Sequence, residues 1–297
     1  MRLSLEALLP NAGRGWKGLY AECALRTCRN TLFMRSVQSR VGINIGKAWY
    51  CSADCFAAAA ALRLASLTDS NVVEMRHSPR LSIGLVMLSK GYLTGAQLRL
   101  ATSQSQSSDE DLESAILHLG LATERQITAA RAAQWGYPIL GQDHIGHPVV
   151  SDIPSRLLQT CSAVPVHSFA AAKRLLLGFV YRVDHSLLNS VEHMTGFRGE
   201  PCFVTPTEFA EQMDRLSAVP RFEEVAFEEP QTPMQMGKTL GGLAVEVAVR
   251  EASFARCRDY VWTRLSGKRQ IVDVLFRIKG DTDAEMGEIS TAIRSAG

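Results

Sequence analysis

The sequence predicts a multidomain α+β protein. Three observations carry that expectation. Four of the seven cysteines fall within the first 55 residues. A helical segment recurs with a period of 29 residues. Short strand-like runs then alternate with well-capped helices through the second half. With 297 residues and 46% hydrophobic content the chain can build two or three small cores.

The N-terminal section, residues 1–70, is organised around its cysteines. Cys23 and Cys28 enclose four residues, and Cys51 and Cys55 enclose three. The second pair lies in "WYCSADCF", where an apolar run ends and the alanine-rich helix pattern "FAAAAALRLASL" begins. The 22 residues between the pairs, with "TLFMRSV", "VGINIG" and "KAWYC", suit a β-hairpin. Two thiolates from a loop and two from a helix N-terminus can surround one zinc ion tetrahedrally, and the helix dipole favours thiolate there. Four sulfurs leave no open position for water, so the expected role is structural. The competing reading is four buried cysteines acting as small apolar side chains; two close pairs flanking a hairpin favour metal.

Residues 78–145 hold the repeat. "LSKGYLTGAQL" (88–98) aligns on "LHLGLATERQI" (117–127), matching Gly91 with Gly120, Thr94 with Thr123 and Gln97 with Gln126. Each Thr-x-x-Gln is a capping box at a helix start. Each preceding glycine suits the left-handed residue that ends the helix before it. Two helix–turn–helix copies should pack as a four-helix unit.

Residues 150–217 read as a small α/β subdomain. "RLLLGFV" and "EPCFVT" have strand length, and Asp184 and Gly196 bracket a helix. Thr205, Pro206 and Glu208 open another. Residues 218–237, rich in proline and acids, read as a linker. Within 238–281, residues 238–256 read as a helix, and "DYVWTRL" and "QIVDVLFRI" as a β-hairpin around "SGKR". Residues 282–297 read as a polar tail.

Bulk composition narrows the function classes. Lys+Arg 32 against Asp+Glu 30 gives a net charge of +2. No large field draws the chain to nucleic acid or anionic lipid. The N-terminus makes a poor signal peptide, and no apolar run approaches the ~20 residues that span a bilayer. The expectation is a cytoplasmic protein without membrane insertion, its cysteines thiols or metal ligands. "GKT" at 237–239 lacks the glycine that a phosphate loop needs five residues earlier, where Thr232 stands. No NTPase is expected. Asp143, His144 and His147 in "DHIGHP" read as a turn, and Cys161, Cys202 and Cys257 as core thiols.

Two resemblances add to this. The cysteine section resembles a treble-clef zinc finger, departing from it in the four residues between Cys23 and Cys28. Residues 80–213 resemble the N-terminal region of the type II secretion and type IV pilus assembly ATPases. The resemblance rests on the paired "G-[YL]-[LA]-T-x-x-Q-[LI]" segments, "QWGYPIL", "AVPVHSF", "LLLGFVYRVDHSLLNSVEHMTGFRGEP" and "TPTEF". It implies a tandem helical motif followed by a small α/β subdomain, and a surface that docks membrane-platform partners.

In part of that family the tandem motif binds cyclic di-GMP, with an Arg-Leu-Gly opening each copy. The matching positions here are Ser82, Ile83 and Gly84, with Gly91, in the first copy, which ends at Ser105. In the second they are Asp111, Leu112 and Glu113, with Gly120, ending at Gln134. Neither arginine is in register, although Arg80 lies two residues upstream of the first copy. Two carboxylates where an anionic ligand would lie disfavour binding.

The leading expectation is therefore a non-enzymatic adaptor or regulatory protein working through a protein partner, in keeping with a secretion or pilus component. The competing reading is a cyclic di-GMP sensor using Arg80, Gly84, Gly91, Gly120 and Gln134. A third is a nucleic-acid-binding regulator using the finger and the basic hairpin, where Arg256, Arg264, Lys268 and Arg277 cluster near Trp262; solvated charges on ordinary strand faces explain those residues better.

Overall fold

The structure is a computed structural model and describes residues 20–33, 42–69, 81–141, 152–218, 222–268 and 270–278. The expected tail, the "DHIGHP" turn and Arg80 lie outside these residues. The chain is α+β and divides into two compact units, Met1–Asn71 with Arg221–Gly297, and Val72–Pro220.

The first unit joins the two ends of the chain. Strand β1 (Tyr20–Glu22) pairs antiparallel with β2 (Thr31–Phe33). Strands β3 (Ile43–Ile45) and β4 (Ala48–Tyr50) form a hairpin turned by Gly46 at φ 56°. The single hairpin expected between the cysteine pairs is thus divided: β2 turns back on β1, and β3 turns forward to β4. Helix α1 (Ala53–Thr68) follows at once.

Strand β3 also pairs in parallel with a strand more than 200 residues away. It is the second strand of a six-stranded sheet that runs β4, β3, Val249–Cys257, Tyr260–Gly267, Ile271–Arg277 and Glu223–Phe227. The section expected to stand apart as a finger therefore continues into the C-terminal sheet.

Residues 218–237, expected as a linker, supply one strand and the start of a helix of this unit. Strand β8 (Glu223–Phe227) pairs in parallel with β11 (Ile271–Arg277) at the sheet's end. Thr232 and Pro233 then open a helix, Pro233–Glu246, through a capping box with Gln235. Pro233 stands at the first helical position, where its missing N–H costs nothing. The helix expected over 238–256 ends at Glu246, and Val249–Cys257 is strand β9, paired antiparallel with β10 (Tyr260–Gly267). The reversal is made by Ala248 at φ 50°, a conformation usually left to glycine. Helix-favouring residues in β9, such as Glu251 and Ala255, yield to the ladder they form with β10.

The Pro233–Glu246 helix packs on α1 through small residues. A Cβ on Gly237 would stand 2.6 Å from the Ala57 carbonyl oxygen, and one on Gly241 2.9 Å from the Ala57 Cβ. The glycine in "GKT" thus serves a close helix crossing, and Thr239 donates its hydroxyl to the Gln235 carbonyl. Phe56 and Leu64 of α1 share a core with Met236, Leu240, Val261, Val274 and Phe276. Arg256 donates to the carbonyls of Leu67 and Thr68 at 3.0 and 3.3 Å, closing the C-terminus of α1.

The second unit starts with the tandem repeat as four helices: α2 (Ile83–Ser89), α3 (Gly95–Ser108), α4 (Leu112–His118) and α5 (Glu124–Trp135). Both expected capping boxes are present, Thr94 with Gln97 and Thr123 with Gln126. Gly91 and Gly120 take φ 71° and 62°, as the helix-ending turns require. Val86, Met87, Ala101, Ile116, Ile127 and Ala130 form the shared core.

After the short helix α6 (Ser155–Thr160), a three-stranded sheet runs β5 (Ala163–Phe169), β6 (Arg174–Phe179) and β7 (Arg198–Phe203). β5 carries Pro165 next to a bulge, at the sheet's edge, where a missing donor is tolerated. Helices α7 (His185–Thr195) and α8 (Pro206–Ser217) start at Asp184 and Thr205, as expected. Helix α9 denotes Pro233–Glu246 of the first unit. No helix of the described residues is long and apolar enough to cross a membrane.

Candidate functional site

The four N-terminal cysteines converge. Cys23 and Cys28 lie in the turn between β1 and β2, and Cys51 and Cys55 bracket the start of α1. Their sulfurs all lie within 4.8 Å of one another, with Cys28 to Cys51 at 3.6 Å and Cys51 to Cys55 at 3.7 Å. A tetrahedron with metal–sulfur bonds of about 2.3 Å has edges of about 3.8 Å, so the cluster is close to that of a four-thiolate site.

Backbone hydrogen bonds fix the frame. The Cys23 N–H donates to Asn30 O, the Cys28 N–H to Leu25 O, and the Ala24 N–H to Trp49 O, at 3.0, 2.9 and 2.9 Å. Ser52 caps α1 by accepting from the Cys55 N–H at 3.2 Å. The cap orients the first helical turn, which carries Cys55. Gly42 is obligatory beside this frame. Its φ is 110°, and a Cβ there would collide with the Trp49 indole at 2.0 Å.

The thiols differ in acidity. A backbone donor at Asn30, helped by the neighbouring thiols, lowers that of Cys28. Burial raises that of Cys51. The Ser52 contact lowers that of Cys55, yet burial and the neighbouring thiols together push it up to about 12. Crowded thiols that resist ionising next to one another are what a divalent cation would relieve, since the metal takes the deprotonated sulfurs. Four sulfurs suit a soft or borderline metal. The remaining cysteines, 161, 202 and 257, are buried singly. Burial, with the Glu208 charge, pushes the Cys202 thiol up to about 12, as for a core thiol.

Of the positions singled out in the tandem repeat, Gly84 and Gln134 are engaged by the protein's own groups, whereas Gly91 and Gly120 stand open. Gly84 sits under Leu98, where a Cβ would meet the leucine methyl at 2.7 Å; it is a packing glycine between helices. Nothing lies within 4 Å of a Cβ built on Gly91 or Gly120, whose left-handed φ accounts for them. Gln134 donates its amide to the Leu81 carbonyl at 2.5 Å.

The two acids of the second copy are also engaged. Asp111 caps α4, accepting from the N–H groups of Glu113 and Ser114 at 2.9 Å each. The Ser114 backbone donor, then its hydroxyl, hold the Asp111 carboxyl below the usual range. Glu113 pairs with Arg131, which also donates to the Val180 carbonyl. Sequence reasoning singled out these acids but missed Arg131. Its signal was a cation among small apolar residues on one face of a helix, "TAARAAQW", a pattern that reads as core until a partner acid is located.

No family model and no curated protein matches the sequence. Part of the chain is similar to solved structures. MshE with cdg is 19% identical, at a TM-score of 0.38, covering 46% of this chain and 99% of its own. The N-terminal domain of XpsE is 23% identical in one crystal form, at a TM-score of 0.34, covering 45% and 92%. In another form it is 20% identical, at 0.28, covering 46% and 98%.

Proposed function

We propose that this protein is a non-enzymatic adaptor that works through a protein partner, with a structural zinc ion holding the fold of its first unit. One observation carries the adaptor reading. Leu85 and Leu88 lie three residues apart on α2 and are 51% and 40% exposed, and Leu81, just before the helix, is 68% exposed. Exposed leucines grouped on a short helix and at its entry support a contact surface rather than scattered exposure. The resemblance of residues 80–213 to the N-terminal region of secretion and pilus ATPases supports the same reading, because that region docks onto other proteins. A secretion or pilus component is the partner class it favours, in the cytoplasm.

Zinc is the metal that best suits four sulfurs near tetrahedral spacing in a site shielded from water. Its role is to tie the β1–β2 turn to the start of α1, which in turn packs on α9. The sensor reading loses ground at Gly84 and at the acids of the second copy, which the protein's own groups engage. A cyclic dinucleotide would have to displace Leu98 from Gly84 and find a cation other than Arg131, already committed to Glu113.

The adaptor reading is tested by installing a photo-crosslinking residue at Leu85 in the native cell. A discrete protein adduct is expected, lost when Leu88→Glu is added, with the thermal midpoint unchanged. Calorimetry with cyclic di-GMP should show no saturable heat. Heat saturating at one ligand per chain would establish the sensor instead.

A further inference from the structure

We infer that the outer face of the β5–β6–β7 sheet is a second docking surface, built to take an acidic, partly apolar peptide segment of a protein partner. The inference rests on the adaptor reading and deepens it by naming another face and the chemistry of what binds there. The register defines the face. Phe169, Arg174 and Arg198 lie in one cross-strand row, and His167, Leu176 and Glu200 in the next. The alternate residues Leu175, Leu177 and Phe179 point the other way and are 4% exposed or less.

The outer rows are open to water at the hairpin end. Phe169 is 47% exposed, a large apolar ring with no core to serve. It is arranged as a platform. The His167 ring meets it edge-on at 4.4 Å between centroids, and the Arg174 guanidinium lies over it at 6.0 Å. Lys173, held at φ 49° in the turn, adds an exposed cation beside Arg174.

The charges do not balance. Lys173, Arg174 and Arg198 face a single carboxylate, Glu200, and Arg174 already takes it through two nitrogens. Exposed Arg198 has no ion-pair partner among the described residues. Charge complementarity therefore selects an anionic occupant, and the Phe169–Leu176 floor selects one that also carries apolar side chains. A peptide satisfies both, placing acids on Arg198 and Lys173 and an apolar side chain on Phe169. A phosphodiester strand fits less well, because it would lay continuous negative charge across Glu200 with only one ring on which to stack a base.

The test uses the full chain and three labelled probes followed by fluorescence anisotropy. These are a short peptide alternating glutamate with leucine, its lysine-for-glutamate counterpart, and a single-stranded oligothymidylate. Saturable binding of the acidic peptide alone is expected, weakened roughly tenfold by Arg198→Glu and by Phe169→Ala. Both residues are exposed, and an unchanged thermal midpoint shows that the variants fold. No saturable acidic-peptide binding, equal binding by the Arg198→Glu protein, or preference for the oligonucleotide would each overturn the inference. Photo-crosslinking at Leu85 separates the two claims. A protein adduct there with no peptide binding here removes this face and keeps the adaptor. Failure of both removes both.

Discussion

Arg131 of α5 closes an ion pair on Glu113 of α4 while its guanidinium also reaches the Val180 carbonyl beyond β6. The arginine is only 5% exposed, and it lies 5.4 Å from the Tyr181 ring centroid. One side chain thus ties the second repeat together and fastens it to the three-stranded sheet. Removing it leaves Glu113 unpaired in a poorly solvated position. Arg131→Met should cost about 3 kcal/mol in denaturant unfolding, and adding Glu113→Gln should return part of that loss. Costs of Arg131→Met and Glu113→Gln that simply add in the double variant would show that the pair is not coupled.

The crossing of α1 and α9 makes opposite predictions for two neighbouring glycines. Gly237→Ala places a methyl 2.6 Å from the Ala57 carbonyl oxygen. Overpacking outweighs the gain in helix propensity, and a net loss on the order of 1–2 kcal/mol is expected. Gly242→Ala meets nothing within 4 Å, so the protein should gain up to about 1 kcal/mol. Thermal melts of the two variants should move in opposite directions.

Asp111 predicts a pH signature. Hydrogen bonds from Ser114 depress its carboxyl in the folded state. A depressed carboxyl stabilises the fold above its unfolded pKa of about 3.9, and that contribution fades as pH falls through the folded value. Asp111→Ala should cost about 1 kcal/mol at neutral pH, as a lost N-cap. The gap to the parent protein should narrow below about pH 4. A gap independent of pH would mean the carboxylate form is not what caps α4.

What could be read from the sequence follows from how local each signal is. Thr94, Thr123 and Thr205 announce helix starts because a capping box is complete within four residues. The spacing of the cysteine pairs is enough to suggest that they converge, as they do. Strand β9 is hidden because Ala248, not a glycine, makes the turn before it, and because its pairing with β3 spans most of the chain. Strand β5 is masked by Pro165, and β8 by the prolines and acids around it. Gly237 shows its reason only when Ala57 is beside it. The two acids of the second repeat were legible as charges, but their engagement with Ser114 and Arg131 depends on packing that no local pattern encodes.

Because β3 pairs with β9 and α1 packs on α9, loss of metal should not stay local. Chelation should loosen β3, β4 and α1 and expose the core shared with the C-terminal sheet. Hydrogen exchange should therefore quicken in α9 and β9, far along the chain from any cysteine. Fast exchange confined to residues 20–55 would mean that the sheet holds without the cluster.

The most direct measurement is the metal content of protein purified without added metal, determined by plasma mass spectrometry beside a Cys51→Ser, Cys55→Ser variant. About one zinc per chain in the parent and almost none in the variant is the expected result. A parent protein that carries no metal, or a variant that keeps its full share, would contradict the assignment of Cys23, Cys28, Cys51 and Cys55 as a structural zinc site.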